Sequence, residues 1–213
     1  MPSAAANRLA AKKKTLSATE QKPAEREAWW KTIAEVDPAD LVFVDEMGMT
    51  IALTRLYARA PGGMRAYGRV PRNHGQRTSV LAALDRTGLG AVLSVPGAVD
   101  REVFRVYVEQ VLGPTLRAGQ SVVVDNLAVH KDPVVAELVG ARGCQLLFLP
   151  PYSPDFNPIE PILGKLKATL RRIGARTTDA LNQALTTAIG EVTCADAANC
   201  VEHFGYRPIP SPN

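Results

Sequence analysis

No stretch of the 213-residue chain approaches the ~20 consecutive apolar residues that a membrane-spanning helix requires. The N-terminus, Met1-Pro2-Ser3-Ala4 turning basic at Lys12-Lys13-Lys14, lacks the apolar core of a secretory signal. Cysteine is scarce. Cys144, Cys194 and Cys200 form an odd set without the close pairing of a metal site, and read as reduced thiols in a cytoplasmic protein. No internal repeat is present, which removes solenoids and propellers. Neither sign of charge dominates: 25 basic against 21 acidic residues leave a net charge of +4 and a pI of about 9.1, compatible with nucleic acid without requiring it. What remains is ordinary for a globular chain, 46% hydrophobic and 22% charged, and long enough for one sizeable core with appendages.

The pattern along the chain predicts a mixed sheet covered by helices. Residues 1 to about 23 are Ala/Lys-rich and polar; Ala24–Val36 reads as a short amphipathic helix with Trp29, Ile33 and Val36 on one side, ended by Asp37-Pro38. Strands are expected at Leu41–Asp45, Thr78–Leu84, Gly90–Val95, Val122–Asp125 and Gln145–Leu149, with a further extended piece at Thr50–Leu56. Ala58–Gln76, rich in Arg, Gly and Pro, reads as a loop or irregular hairpin. Helices are expected at Arg101–Leu116, Pro133–Ala141, Pro158–Ile173, Asp179–Val192 and near Asp196–Phe204. Three meandering strands followed by alternating helices and strands suggest one α/β layer system. The expected division is a basic N-terminal segment and linker helix (1–40), one α/β domain (41–206) and a Pro-rich tail (207–213).

Three acids carry the chemistry. Asp45 ends the run Leu41-Val42-Phe43-Val44, Asp125 ends Val122-Val123-Val124, and Glu160 opens a helix after the stiff approach Pro150-Pro151-Tyr152-Ser153-Pro154. Two strand-end carboxylates and one at a helix start suit a hard divalent cation such as Mg²⁺, which takes oxygen ligands. Each has a plain structural reading beside the functional one. Asp45 can start a turn, and Asp125 can close an Asx turn with Asn126 capping the next segment. Asn157-Pro158-Ile159-Glu160 fits N-cap to N3 of a capping box. His130 is either structural or orients substrate or a metal-bound water. Asp155 is a rival third acid, less rigidly held on its turn. Lys167 and Arg171 fall within about 20° of the direction of Glu160 at ~100° per residue, while Ile159, Ile162, Leu166, Leu170 and Ile173 form the core stripe. With Arg172 and with Arg59, Arg65, Arg69 and Arg72 they are candidate phosphate contacts.

The strings VDE (Val44–Glu46), VDNLAVH (Val124–His130) and LPPYSPDFNPIEPILGKLK (Leu149–Lys167), with 34 residues between Asp125 and Glu160, resemble bacterial insertion-sequence transposases of the mariner-like branch of the DDE superfamily. The resemblance runs from about Lys12 to Tyr206. It implies a ribonuclease-H-like fold with a mixed five-stranded sheet. It makes Asp45, Asp125 and Glu160 the catalytic metal ligands for two Mg²⁺ ions (Mn²⁺ able to substitute), with Asn126 and His130 in support. It also implies cleavage at transposon ends, 3′-OH strand transfer into target DNA, and a homodimer on double-stranded DNA in a bacterial, nucleoid-associated setting. A ribonuclease-H-like nuclease without strand transfer and a non-catalytic DNA-binding remnant are the competing readings. Leu163 stands where many relatives carry Trp. The helix-turn-helix region with which family members usually begin has no counterpart here, so the expectation is the catalytic half of a split transposase, partnered by a separately encoded helix-turn-helix protein, or a truncated copy.

Overall fold

The computed structural model describes residues 18–207; the basic run at Lys12–Lys14 and the Pro-rich tail from residue 208 onward lie outside them. Helix α1 (Pro23–Ile33) leads into β1 (Leu41–Met49), β2 (Thr78–Asp85) and β3 (Gly88–Pro96). Helix α2 (Arg101–Val106), β4 (Ser121–Val124), α3 (Pro133–Gly140), β5 (Gln145–Phe148) and α4 (Ile159–Ile173) come next, and α5 (Thr178–Gly190) and α6 (Cys194–His203) close the chain. The five strands form one mixed sheet in the order β3-β2-β1-β4-β5. The β1–β2 and β2–β3 pairs are antiparallel, and the β1–β4 and β4–β5 pairs are parallel. This is the expected five-stranded α/β architecture of ribonuclease-H type.

Both faces of the sheet are covered, and the period-2 alternation of the strands sorts their side chains between two cores. Leu41, Phe43, Met47 and Met49 of β1 and Val123 of β4 pack with Ile159, Ile162, Leu163, Leu166 and Leu170 of α4 and with residues of α1, α5 and α6. Val42, Val44, Val122 and Val124 pack on the opposite side with Phe104, Tyr107 and Leu112 of the α2 region and Val135 and Val139 of α3.

Several expectations need correction. Strand β1 does not stop at Asp45 but continues to Met49, paired with β2 through Met49↔Thr78. Met47 and Met49, each 1% exposed, resume the buried alternation beyond the acidic pair Asp45-Glu46. The extended piece expected at Thr50–Leu56 is absent: residues 50–77 contain neither helix nor strand. The α-helix expected over Arg101–Leu116 holds only to Val106, then widens into a π-helix (Tyr107–Leu112) and tightens into a 3₁₀ turn (Gly113–Thr115). Ile173, assigned to the core stripe, is 42% exposed in the last turn of α4; Leu163, at 3%, takes a place in the stripe instead. Gly174 ends that helix at φ 66°, a left-handed conformation suited to glycine.

Candidate active site

Strand register brings the first two acids together. The parallel β1–β4 ladder runs Leu41↔Ser121, Val42↔Val122 and Phe43↔Val123. Two residues further on, Asp45 and Asp125 share the face of Phe43 and Val123, on neighbouring strands spaced about 5 Å apart. That face is the one on which α4 packs. The bonding between the strands lapses there, leaving a notch at the C-terminal end of β4 while β1 runs on beside β2.

Asp45, Asp125 and Glu160 line one cavity of about 440 Å³. Asn126, Leu127 and Lys131 border it on one side, and the strap Leu149–Pro154 with Asn157 on the other. Asp45 is half-buried and held at both oxygens: Oδ1 accepts from the Glu46 amide (2.7 Å) and Oδ2 from Asn157 Nδ2 (2.9 Å). Burial, and then the nearby Glu160 and Asp125 carboxylates, push its pKa up to about 7, against the partial relief of the Glu46 hydrogen bond and of His130. Asp125 accepts from the Leu127 amide (3.1 Å), so the Asx turn read from the sequence does form. It forms without removing Asp125 from the cavity.

The capping-box reading of Glu160 is overturned. Pro158 is the N-cap of α4 and no side chain caps it. Asn157, expected to cap, is 3% exposed and turns its amide to Asp45 instead. Glu160 is thus left exposed at the first turn of α4, where the helix dipole favours an anion. The rival acid Asp155 is engaged elsewhere, in a two-pronged ion pair with Arg26 (3.0 and 2.6 Å) that holds its pKa below the usual range.

Behind Asp125, His130 is 2% exposed, with its ring 4.2 Å from that of Phe104. Its Nδ1 lies 2.6 Å from Asp125 Oδ1, too far out of line for a hydrogen bond, and Nε2 has no partner in the protein. The imidazole therefore backs Asp125 and does not line the cavity. Asn126 lines it, with Oδ1 buried and unpartnered. The loop is anchored beyond by Asp132, which caps α3 through the Val134 amide (3.1 Å) and binds Arg105 of α2 (2.5 Å).

Among the described residues no three His, Cys, Asp or Glu side chains are drawn close enough to form a finished metal cage. The donor chemistry nevertheless fits a hard cation. Three carboxylates converge on one cavity, and burial together with the charges of Glu160 and Asp125 displaces Asp45 towards protonation, a strain that a bound cation would relieve. The candidate phosphate contacts separate into groups. Arg59, Arg65, Arg69 and Arg72 are exposed on the irregular segment between β1 and β2. Lys167 and Arg171 are half-buried on α4. Arg172 is engaged in an ion pair with Glu191. Sequence pattern misses two residues of the site: Asn157 has the context of a cap, and nothing local marks Lys131.

A five-stranded mixed sheet with three carboxylates at one notch defines a class, and residues 40–182 match the family model described as DDE superfamily endonuclease. The match spans more than half of the chain, and the chain belongs to that family. It is 32% identical over 105 residues to the transposable element Tcb1 transposase of Caenorhabditis briggsae, covering 47% of this chain and 38% of that one. The catalytic domain of the Mos1 mariner transposase superposes with a TM-score of 0.63 at 12% identity, covering 89% of this chain and 91% of that one. The transposase in a pre-cleavage Mos1 transpososome gives 0.68 at 14%, covering 92% of this chain and 64% of that one. The chain spans less than two thirds of the length of Tcb1 and of the transpososome protein. At these identities the Mos1 likeness speaks for the fold alone, which this chain shares with the Mos1 catalytic domain.

Proposed function

We propose that this chain cuts and joins DNA as a transposase catalytic domain, by metal-dependent phosphodiester hydrolysis at transposon ends followed by 3′-OH strand transfer into target DNA. The observation that carries the reading is the convergence of Asp45, Asp125 and Glu160 on one cavity, with Asp45 electrostatically coupled to the other two. These three residues are assigned as ligands for two Mg²⁺ ions, or Mn²⁺ in their place. Bound there, the cations supply Lewis acidity at phosphorus and offset charge on the attacking and departing oxygens.

The chain's own residues set the stage. Asn157 and the Glu46 amide fix both oxygens of Asp45. His130 packs behind Asp125 and restricts its swing. The Pro150–Pro154 wall limits entry from one side, while Lys131 sets a positive charge at the rim for a phosphate. In each step one P–O bond forms as one breaks: water displaces a 3′ oxygen at the element end, and the freed 3′-OH displaces a 3′ oxygen of the target. No nucleotide energy source or covalent protein intermediate is needed.

Double-stranded DNA is the proposed partner, tracked by Arg59, Arg65, Arg69, Arg72, Lys167 and Arg171; Arg172, engaged by Glu191, is left out. Mos1 has been solved as a paired end complex and as a strand transfer complex, which supports a homodimer on DNA here. A separately encoded helix-turn-helix protein for end recognition and an insertion-sequence origin belong to the same proposal. The test is Asp125→Asn in a nicking assay on duplex DNA with Mg²⁺. Loss of at least about a hundredfold in rate is expected from removal of a metal ligand; near wild-type nicking sinks the proposal. Joining of a pre-cut 3′ end to a second duplex separates a transposase from a nuclease without strand transfer.

A further inference from the structure

The strap from Pro150 to Pro158 forms one wall of the cavity and delivers both Asn157 and the start of α4, yet it has little to hold itself in place. Four of its nine residues are prolines without an N–H to donate. Tyr152 sits at φ 55°, a left-handed conformation that bulky residues rarely adopt. Its internal ties are two backbone hydrogen bonds, Phe156 N to Ser153 O and Asn157 N to Pro154 O, both 3.0 Å, and one from Ser153 Oγ to the Pro151 carbonyl at 3.2 Å.

The remaining anchors come from outside, chiefly from α1 and the residues just before it. Arg26 Nη1 donates to Ser153 Oγ (2.7 Å) and to Asp155 Oδ1 (3.0 Å), and Nη2 donates to Asp155 Oδ2 (2.6 Å). The Arg26 guanidinium carbon lies 3.9 Å over the Phe156 ring. Gln21 Nε2 donates to the Tyr152 carbonyl (2.6 Å). From the other end of the chain, Tyr206 Oη donates to the Phe156 carbonyl (2.6 Å). One guanidinium, its side chain only 20% exposed, thus grips three of the four residues preceding Asn157.

We propose that Arg26 is a positioning residue for the carboxylate site, fixing from α1 the strap conformation that presents Asn157 to Asp45 and starts α4 with Glu160 at the cavity. This role rests on the metal-binding reading of the three acids. It adds that the site is assembled only while α1 is docked. Arginine is needed because its planar fork serves Ser153, both oxygens of Asp155 and an aromatic face together; lysine offers a point charge.

The test uses the full chain without DNA, with two readouts: Mn²⁺ binding by calorimetry and hydrogen exchange of the strap amides. Arg26→Ala should weaken Mn²⁺ binding about tenfold, the scale of lost supporting contacts around a metal site, and should speed exchange at Phe156 and Asn157. Arg26→Lys and Asp155→Asn, which keep α1 packed, should each give part of both effects. Lys31→Ala, which removes only the Glu27 pair on the same helix, should give neither. Asp45→Asn separates the two ideas. If wild type binds Mn²⁺ through Asp45 but the Arg26 and Asp155 variants bind it within twofold of wild type, the positioning role is wrong and the metal site stands. If Asp45→Asn binds Mn²⁺ like wild type, the metal site itself is wrong and the positioning role falls with it.

Discussion

Asp45→Asn should make the metal-free protein more stable, and increasingly so as pH rises. The Asp45 carboxyl is pushed from 3.8 to about 7 in the fold, chiefly by burial and then by Glu160 and Asp125. A group whose folded-state pKa lies above its unfolded value favours the fold when protonated. That favour is complete below about pH 4 and is lost as pH climbs through about 7. At about 1.36 kcal/mol per pKa unit, this shift costs the metal-free fold about 4 kcal/mol at pH 8.5, where the buried carboxyl is ionised, and about 2 kcal/mol at pH 5, where the fold must take up a proton that the unfolded chain has shed. Asparagine carries no such cost. It retains an acceptor for the Glu46 amide but deprives Asn157 of its carboxylate partner, a loss of about 1 kcal/mol at either pH. That loss cancels in the comparison between pH values. Urea unfolding in EDTA should therefore show the variant's advantage widening by about 2–3 kcal/mol between pH 5 and pH 8.5. Adding Mg²⁺ at about 100 times its Kd should restore about 2.7 kcal/mol to wild type and little to the variant. A gap that stays constant or narrows with pH would refute the electrostatic reasoning.

The same structure sets three further expectations. Duplex binding should weaken steeply with salt, and each of Arg59→Ala, Arg65→Ala, Arg69→Ala and Arg72→Ala that removes a phosphate contact should lower the log–log slope by roughly 0.9; a salt-insensitive affinity refutes the basic track. Tyr206→Phe leaves the buried Phe156 carbonyl and Trp29 Nε1 without their shared hydroxyl; thermal or urea unfolding should report a loss of about 1–3 kcal/mol. Thr193→Ala removes the capping box with Asp196 at the start of α6 and should cost about 1 kcal/mol by the same measurement, with DNA cleavage unaffected.

Much of the site is legible in the sequence because it is written in short-range pattern. Val122-Val123-Val124 stopping at Asp125 marks a buried strand and its exit, and the observed β4 ends at Val124. The amphipathic stripe of α4 comes from spacing, and four of its five assigned core residues are buried. What escapes the pattern is decided by distant partners. Asp45-Glu46 looks like a strand end because charge interrupts an apolar run; β2, which begins only at Thr78, supplies the hydrogen bonds that carry β1 to Met49. Asn157 has the sequence of a cap, but a carboxylate 112 residues earlier competes successfully for its amide. The π-turn at Tyr107–Leu112 has no sequence signature. The grip of Arg26 on Asp155 spans 129 residues and cannot be read from either neighbourhood.

The most direct test of a metal site built from three carboxylates is anomalous diffraction from crystals soaked in Mn²⁺. A peak is expected in the cavity within about 2.2 Å of carboxylate oxygens of Asp45 and Asp125, with Glu160 completing the ligands at the same ion or at a second beside it. A cavity without a peak at saturating Mn²⁺, or an ion bound elsewhere with Glu160 swung away from both aspartates, would contradict it.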